Sequence, residues 1–564
     1  MERPPPTSRV RGHQRLGEET GALAGYLAVA IGVTYPLVWR LGAAFPGSGT
    51  DVFGFLWNNW WIHYAITHHL AKPYLTTYIF APFRLDLRLH TVGFLYGLLS
   101  APFFAILGQV RVLNLQILAT ITLNGYFTYR LVRRLTGDRA VALLCGLLAT
   151  SMNGINFHIG PGRPSCSAFW TAIAVLTCFL DLDEDPRPAT IAVGATSLVA
   201  MFLADQQVAL YGSMWLVLLA ASRFLRRGGW ARLRRLAPAM LVLASAGLAA
   251  AYVLYLRPWK YDLGYDVPGA VEALHYSDRP EHYLHFGLFW TFYGVVLPIA
   301  MPIVLARLVR VREAIPWALG AVFFYLLTFG PVLSGTHLPM PFALLRHLPG
   351  LENFRTPYRF RMPAVFGAIV ALGLVLRATT ARLGPRARAA VIAALGLVTI
   401  ADAARLKWQR PFLLREMPVE PVYAEIGRDP VLSVLLEVPV GVRNGTDRIG
   451  VDGEILTYYQ PTHGKRLVNG FVARSPLAAI DYYRHSPAFM YLAGEIPPSG
   501  DLTADLRQKI EELGVGYIVV HPNMMKPERV APTLRLLATL PGLTPIAASP
   551  ELVAFRREGA TIVR

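Results

Sequence analysis

Apolar residues in this chain gather into long runs almost free of charge. LAPAMLVLASAGLAAAYVLYL (236–256), FGLFWTFYGVVLPIAMPIVLA (286–306) and VALYGSMWLVLLAAS (208–222) are examples, and such runs approach the ~20 residues a helix needs to cross a bilayer core. Short arginine-rich connectors separate them: YRLVRRLTGDR (129–139), RFLRRGGWARLRR (223–235), RLVRVR (307–312) and RATTARLGPRAR (377–388). Basic clusters beside spans mark the cytoplasmic side, which sets a topology. A polar tail, 1–20, precedes a first span over 21–40, read as a retained signal anchor because no small-residue cleavage site follows it. Further spans are predicted at 112–131, 139–154, 166–181, 189–204, 207–222, 236–256, 286–306, 315–334, 361–377 and 389–403, about eleven crossings with an outward final exit. The run VGFLYGLLSAPFFAILG (92–108) would turn the 129–139 connector outward if it crossed. It is therefore expected on or in the outer interface, within a first external loop spanning 41–110.

From 406 the pattern changes. VLSVLLEVP (431–439) and VGYIVVHP (515–522) read as short strands, and ADLRQKIEELG (504–514) as a helix closed by Gly514. The expected architecture is an α-helical polytopic membrane domain over 21–405 followed by an extracytoplasmic α/β domain over 406–564. Asn444-Gly445-Thr446 is a glycosylation sequon, but matches of three residues are frequent by chance.

Composition agrees. The chain is 54% hydrophobic and 16% charged, against about 25% charged in soluble domains. The net charge of +18 raises nucleic acid as a partner, yet the excess sits in the connectors and no reader motif accompanies it. Nucleic acid is not an expected partner. Cys145, Cys166 and Cys178 show neither metal-ligand spacing nor a disulfide framework.

The candidate chemistry lies in the external segments. In GSGTDVFGFLWNNWWIHY (47–64) a lone acid, Asp51, precedes Phe53, Trp57, Trp60, Trp61 and Tyr64, which share one broad helical face suited to the headgroup level. Asp51 and Asn58, seven apart, can share the opposite face, which would hold a carboxylate just above the outer leaflet. Asp51 could equally be a simple helix cap. NFHIGPGRPSC (156–166) offers His158 and Arg163, although a membrane-edge histidine is more often a hydrogen-bonding residue than a catalyst. Asp205-Gln206-Gln207 reads as a polar hairpin tip. The loop 257–286 carries Glu272, His275, Asp278, Arg279, Glu281, His282 and His285; a polar substrate-facing loop suits it better than a zinc site. Arg346, Arg355, Arg359 and Arg361 crowd LLRHLPGLENFRTPYRFRMP (344–363) on the predicted external side, where orientation does not call for them. Guanidinium groups there suit a lipid phosphate, or they snorkel to headgroups.

An acid in a long first external loop with interfacial helices, a multi-span core and an external C-terminal domain together resemble the GT-C membrane glycosyltransferases. The text of TDVFGFLWNNWWIHYA, YIFAPFRLDLRLHT, YRLVRRLTGDR and RTPYRFRMP is also similar to bacterial members of that superfamily. The resemblance implies a multi-pass protein of the inner (plasma) membrane. It would move a sugar from a polyprenyl-phosphate or diphosphate carrier to an envelope glycan, lipid or protein acceptor outside the cytoplasm. It implies Asp51 as the base for the acceptor, Arg355 and Arg359 as holders of the leaving phosphate, and Trp57 and Trp61 bordering lipid or stacking on sugar. Asn58, Arg163, Glu272 and His275 are further expected substrate-binding residues. The sequence departs from the superfamily in lacking an acidic pair at Asp51 and an acid in the second external loop, where His158 is the plausible base. No cofactor is expected beyond the lipid-linked sugar, and a divalent metal is not supported. The alternative is a non-catalytic member, a lipid-binding or scaffold subunit of envelope polysaccharide assembly. A transporter would call for paired broken helices and mid-membrane charges, which the runs lack.

Overall fold

The computed structural model describes residues 8–70, 72–225, 228–256, 270–281, 294–348, 351, 354–498 and 501–558. Two compact units emerge. The first comprises Met1–Pro46, Asn114–Val253 and Pro268–Leu414, the second Gly47–Leu113, Leu254–Val267 and Arg415–Arg564. The division differs from one drawn along the sequence, because the first external loop groups with the C-terminal residues and not with the spans.

The first unit is helical, and its helices follow the apolar runs. Arg139–Ser151, Phe169–Glu184, Pro188–Ala204, Gln206–Phe224, Gly229–Ala251, Ile315–Leu327, Arg361–Thr380 and Pro385–Gln409 overlap the predicted spans, while the first helix, Ser8–Val33, begins within the expected tail and stops short of the expected end at 40. Of the 286–306 run, Val296–Arg307 is helical and residues 286–293 lie outside the described residues. At the centre, Arg361–Thr380 is buried on nearly every side, as a helix apolar all round must be. Trp215 packs among Trp317, Phe324 and Phe366 at centroid distances of 5.2–6.0 Å. That fit depends on glycine: a Cβ on Gly320 would stand 2.3 Å from the Trp215 ring. A second close approach lies between the Phe94–Thr136 and Arg139–Ser151 helices, where a Cβ on Gly125 would meet the Gly146 carbonyl at 2.9 Å. Small residues at such crossings let backbones pack tightly inside membranes.

Among the described residues five helices are long and apolar enough to cross a membrane: Phe94–Thr136, Ser165–Glu184, Gly229–Leu254, Pro357–Thr380 and Pro385–Gln409. Arg139–Ser151, Pro188–Ala204 and Val296–Arg307 are apolar but shorter. Leu241, Leu248, Leu397 and Ile400 are more than half exposed, outward apolar surface of the kind lipid covers. The protein is a multi-pass membrane protein. The Phe94–Thr136 helix is broken at Gly108, whose φ of 74° and ψ of 165° are open to glycine and costly for other residues. The break ends the 92–108 run, whose Leu99, Phe103 and Ile106 are exposed.

In the second unit, the expected β runs become Val434–Val438 and Val515–Val520, paired in parallel with Val438 opposite Val520. They sit inside a five-stranded sheet ordered Leu543–Ala548, Val553–Arg557, Val515–Val520, Val434–Val438, Arg466–Leu467. Both inner strands are buried throughout, which explains their continuous apolar text. Helix Leu502–Leu513 ends at Gly514 with φ 65°, the left-handed C-cap glycine accommodates. Asn444 of the sequon is 4% exposed. Its Oδ1 accepts from the Thr446 and Asp447 amides at 2.8 and 2.6 Å, so the triplet builds a turn.

Candidate functional site

Two groups of candidate side chains emerge, one in each unit. In the second unit the helix Asp51–Thr67 begins at Asp51, after the N-cap Thr50. Thr50 makes no side-chain cap; its hydroxyl donates instead to Glu454 at 3.0 Å. Asp51 occupies the first turn, where a carboxylate is favoured by the helix dipole, and it remains partly exposed. Asn58, two turns on, is 2% exposed and donates through Nδ2 to the Thr91 carbonyl at 3.0 Å.

His90, beside Thr91, is 5% exposed, and its Nδ1 accepts from the Ala473 amide at 3.0 Å. A neutral ring with Nδ1 engaged as acceptor carries its proton on Nε2. Burial pushes the His90 pKa down to about 4, against the opposing pull of the Asp51 charge. The Phe471 ring stands edge-on to His90 at 5.5 Å and under the Arg443 guanidinium at 5.2 Å. Arg443 in turn donates to the fully buried Glu454 at 2.8 Å. His90, Arg443 and Glu454 were not singled out from the sequence. Each acquires its role from partners far away along the chain.

Trp57 and Trp61 are placed otherwise than expected. They are 2% and 1% exposed and stack on each other at 5.8 Å. Trp57 donates to Gln460 Oε1 at 2.6 Å and Trp61 to the Pro73 carbonyl at 2.8 Å. Gln460 Nε2 donates onward to the carbonyls of Tyr78 and Lys465. An indole must find a hydrogen-bond acceptor when buried, and here protein supplies it, so neither ring fronts lipid or sugar.

In the first unit the second external loop is pinned by asparagines. Asn156 Nδ2 donates to the carbonyls of Ala149 and Thr150 at 3.0 Å, closing the end of Arg139–Ser151. Asn124 Nδ2 reaches Asn156 Oδ1 at 3.0 Å and the Ser167 carbonyl at 2.8 Å. The loop so held carries His158, 2% exposed, whose pKa is lowered by burial and then by the charges of Arg359 and Arg163. Arg163 is partly exposed. Asp205 caps Gln206–Phe224 by accepting from the Gln207 and Val208 amides, and its Oδ2 accepts from Cys166 Sγ at 3.4 Å. Burial raises the Asp205 pKa. This acid, first read as a hairpin tip, thus faces the same electrostatic neighbourhood as Arg359.

The four arginines of 344–363 do not act alike. Arg355 is ion-paired with Glu272 at 2.5 Å, so two expected substrate ligands hold each other. Arg361 is ion-paired with the buried Asp278. Arg359 is partly exposed and donates to the Tyr358 hydroxyl at 3.4 Å; among the described residues no carboxylate lies within ion-pair distance of it. A guanidinium so placed keeps its charge and donors for an external anion. His275 is exposed and touches the Tyr276 ring. His282 and His285 lie outside the described residues, and among those described no three His, Cys, Asp or Glu side chains come together.

No family model matches the sequence, and no curated relative matches it. Solved structures do match in fold. An oligosaccharyltransferase of Archaeoglobus fulgidus superposes over 96% of this chain and 74% of its own, with a TM-score of 0.50 at 12% identity. The arabinofuranosyltransferase AftD from Mycobacteria superposes over 95% of this chain and 41% of its own, with a TM-score of 0.52 at 15% identity. This chain thus spans about two fifths of the length of AftD. The chain shares the fold of these two solved transferases.

Proposed function

We propose that the protein is a glycosyltransferase that moves a sugar from a polyprenyl-phosphate or diphosphate carrier to a cell-envelope acceptor. The reaction takes place on the extracytoplasmic face of the inner membrane, where residues 406–564 also lie. One observation carries the reading: within a GT-C fold, Asp51 opens the first-loop helix as a partly exposed carboxylate while its neighbour Thr50 occupies the cap position. Asp51 is the base. It takes the proton of the acceptor as the acceptor attacks the anomeric carbon, and the bond from that carbon to the carrier phosphate breaks with its electron pair leaving on the phosphate. In the first unit, Arg359 is a holder for a lipid phosphate, in place of the expected pair with Arg355, because Glu272 already neutralises Arg355.

The test is binding of a polyprenyl-phosphate sugar to the purified protein in lipid. Arg359→Gln weakens binding by about tenfold or more, the loss of one charge-assisted contact, while Arg355→Gln weakens it less and Asp51→Asn leaves it intact. Equal binding by Arg359→Gln removes the phosphate-holder role, and no binding by wild type removes the transferase reading. The burial of His158 favours the second reading, a lipid-binding scaffold without turnover. In that case donor binds but no acceptor releases it.

A further inference from the structure

Within the first unit a cavity of about 730 Å³ lies between the helices Gln206–Phe224 and Ile315–Leu327, a size in the ~300–1,000 Å³ range of small-molecule sites. Leu218, Ile315, Leu319 and Phe323 form apolar walls, and Ser222 and Arg312 supply the polar lining. The Ser222 hydroxyl is committed to the Leu219 carbonyl at 2.7 Å, which leaves the Arg312 guanidinium as the donor facing the cavity. Because Ser222 and Arg312 share it, the basic runs 223–235 and 307–312 both border its mouth. From Ile315 to Phe323 the wall climbs about 12 Å at 1.5 Å per residue, close to the ~15 Å that is half of a bilayer core. The charge at the mouth is unusual for this protein. Other connector arginines are tied to acids: Arg133 to Glu18 at 2.7 Å, Arg134 to Asp181 at 2.8 Å, Arg232 to Asp183 at 2.9 Å, and Arg388 to Asp138. Among the described residues Arg307, Arg310 and Arg312 make no ion pair, and Glu313 beside them is exposed.

We propose that this groove is a binding site for an anionic diacyl phospholipid of the leaflet that borders the basic connectors. The lipid phosphate sits on Arg312, and an acyl chain runs into the slot walled by Leu218, Leu319 and Phe323. Each half of the lipid answers one half of the groove. The slot is apolar and about one leaflet deep, so a chain fills it without leaving a polar group unpaired. The guanidinium holds its charge and donors for phosphate oxygens, and basic pockets between spans are suited to anionic headgroups. A zwitterionic lipid brings the same chains, but its own cation offsets the attraction at the mouth. The site is separate from Asp51 and Arg359 and does not depend on the transferase reading. A lipid seated there bridges the two helices and stabilises the folded chain by mass action.

The experiment is native mass spectrometry of the full chain in detergent, titrated with phosphatidylglycerol, with phosphatidylcholine of the same acyl chains, and with a polyprenyl monophosphate. Wild type retains phosphatidylglycerol in preference to phosphatidylcholine. Arg312→Gln weakens that retention about tenfold, the loss of one charge-assisted contact. Arg310→Gln removes the same charge from the same connector outside the cavity, and it changes retention by less than about twofold. Leu319→Trp fills the slot from a side chain that is 62% exposed, and it abolishes the preference. Thermal unfolding of each variant separates these losses from a failure to fold; should Leu319→Trp not fold, the contrast of Arg312→Gln with Arg310→Gln decides alone. Equal retention of the two phospholipids by wild type, equal effects of Arg310→Gln and Arg312→Gln, or full retention by a folded Leu319→Trp each overturns the site. Displacement of phosphatidylglycerol by the polyprenyl monophosphate at equal concentration also overturns it, by assigning the groove to the carrier lipid.

Discussion

Asp51 is legible in the sequence because a single carboxylate among aromatic and apolar neighbours has few reasons to be there. His90 is not, since its meaning depends on the amide of Ala473, 383 residues away. The same holds for Glu454, tied to Thr50 across 404 residues. Local text carries charge and period; it does not carry which distant backbone will pin a ring. The arginines of 344–363 show the same limit, because the acids that occupy Arg355 and Arg361 come from 270–281. His90 has a measurable consequence. Its folded pKa of about 4 lies below the ordinary 6.5, so between these values the unfolded chain binds the proton first. The stability contributed by neutral His90 is full above about pH 6.5 and falls as the pH drops toward 4, by up to about 3 kcal/mol. Buried His463, at about 3, acts in the same direction. Unfolding followed from pH 7.5 to 4.5 shows this loss in wild type and a shallower one in His90→Phe. A profile unchanged by the substitution contradicts neutral burial of the ring.

At the scale of elements, apolar runs translate directly into helices, since burial and length are both written in the runs. What a helix packs against is not written there. The stripe Phe53, Trp57, Trp60, Trp61, Tyr64 has the spacing of an interfacial face, yet the rings of Phe53 and the three tryptophans are buried inside the second unit and Gln460 takes the Trp57 N–H. Period identifies a face, while its partner comes from the far end of the chain. Trp57→Phe accordingly costs about 1–3 kcal/mol, because Gln460 Oε1 loses its donor in a buried setting. Chemical unfolding of the two proteins in matched detergent checks it. A change below a few tenths of a kcal/mol, the response of a ring sitting at headgroups, contradicts the packing described. Gly108 is the other element-level surprise: its break in Phe94–Thr136 sits inside text that is apolar on both sides.

For the whole molecule, the sequence reading of a helical membrane body followed by a region with strands agrees with the elements found, but the grouping of 47–113 with the C-terminal residues is a property of long-range packing. The orientation argued from the basic connectors puts the C-terminal region outside. Ser549, exposed near the end of that region, tests it. A membrane-impermeant maleimide labels Ser549→Cys in intact cells when Cys178, the part-buried cysteine, is replaced by serine, over a low background because Cys145 and Cys166 are buried. Labelling only after lysis reverses the topology. The central claim, lipid-linked sugar transfer with Asp51 as base, is tested most directly by release of free polyprenyl phosphate from a polyprenyl-phosphate sugar in the presence of envelope acceptor. Wild type releases the carrier, and Asp51→Asn binds donor but slows release by at least about a hundredfold, the range of general-base catalysis. Equal release by Asp51→Asn, or donor bound by wild type and never released, contradicts the account.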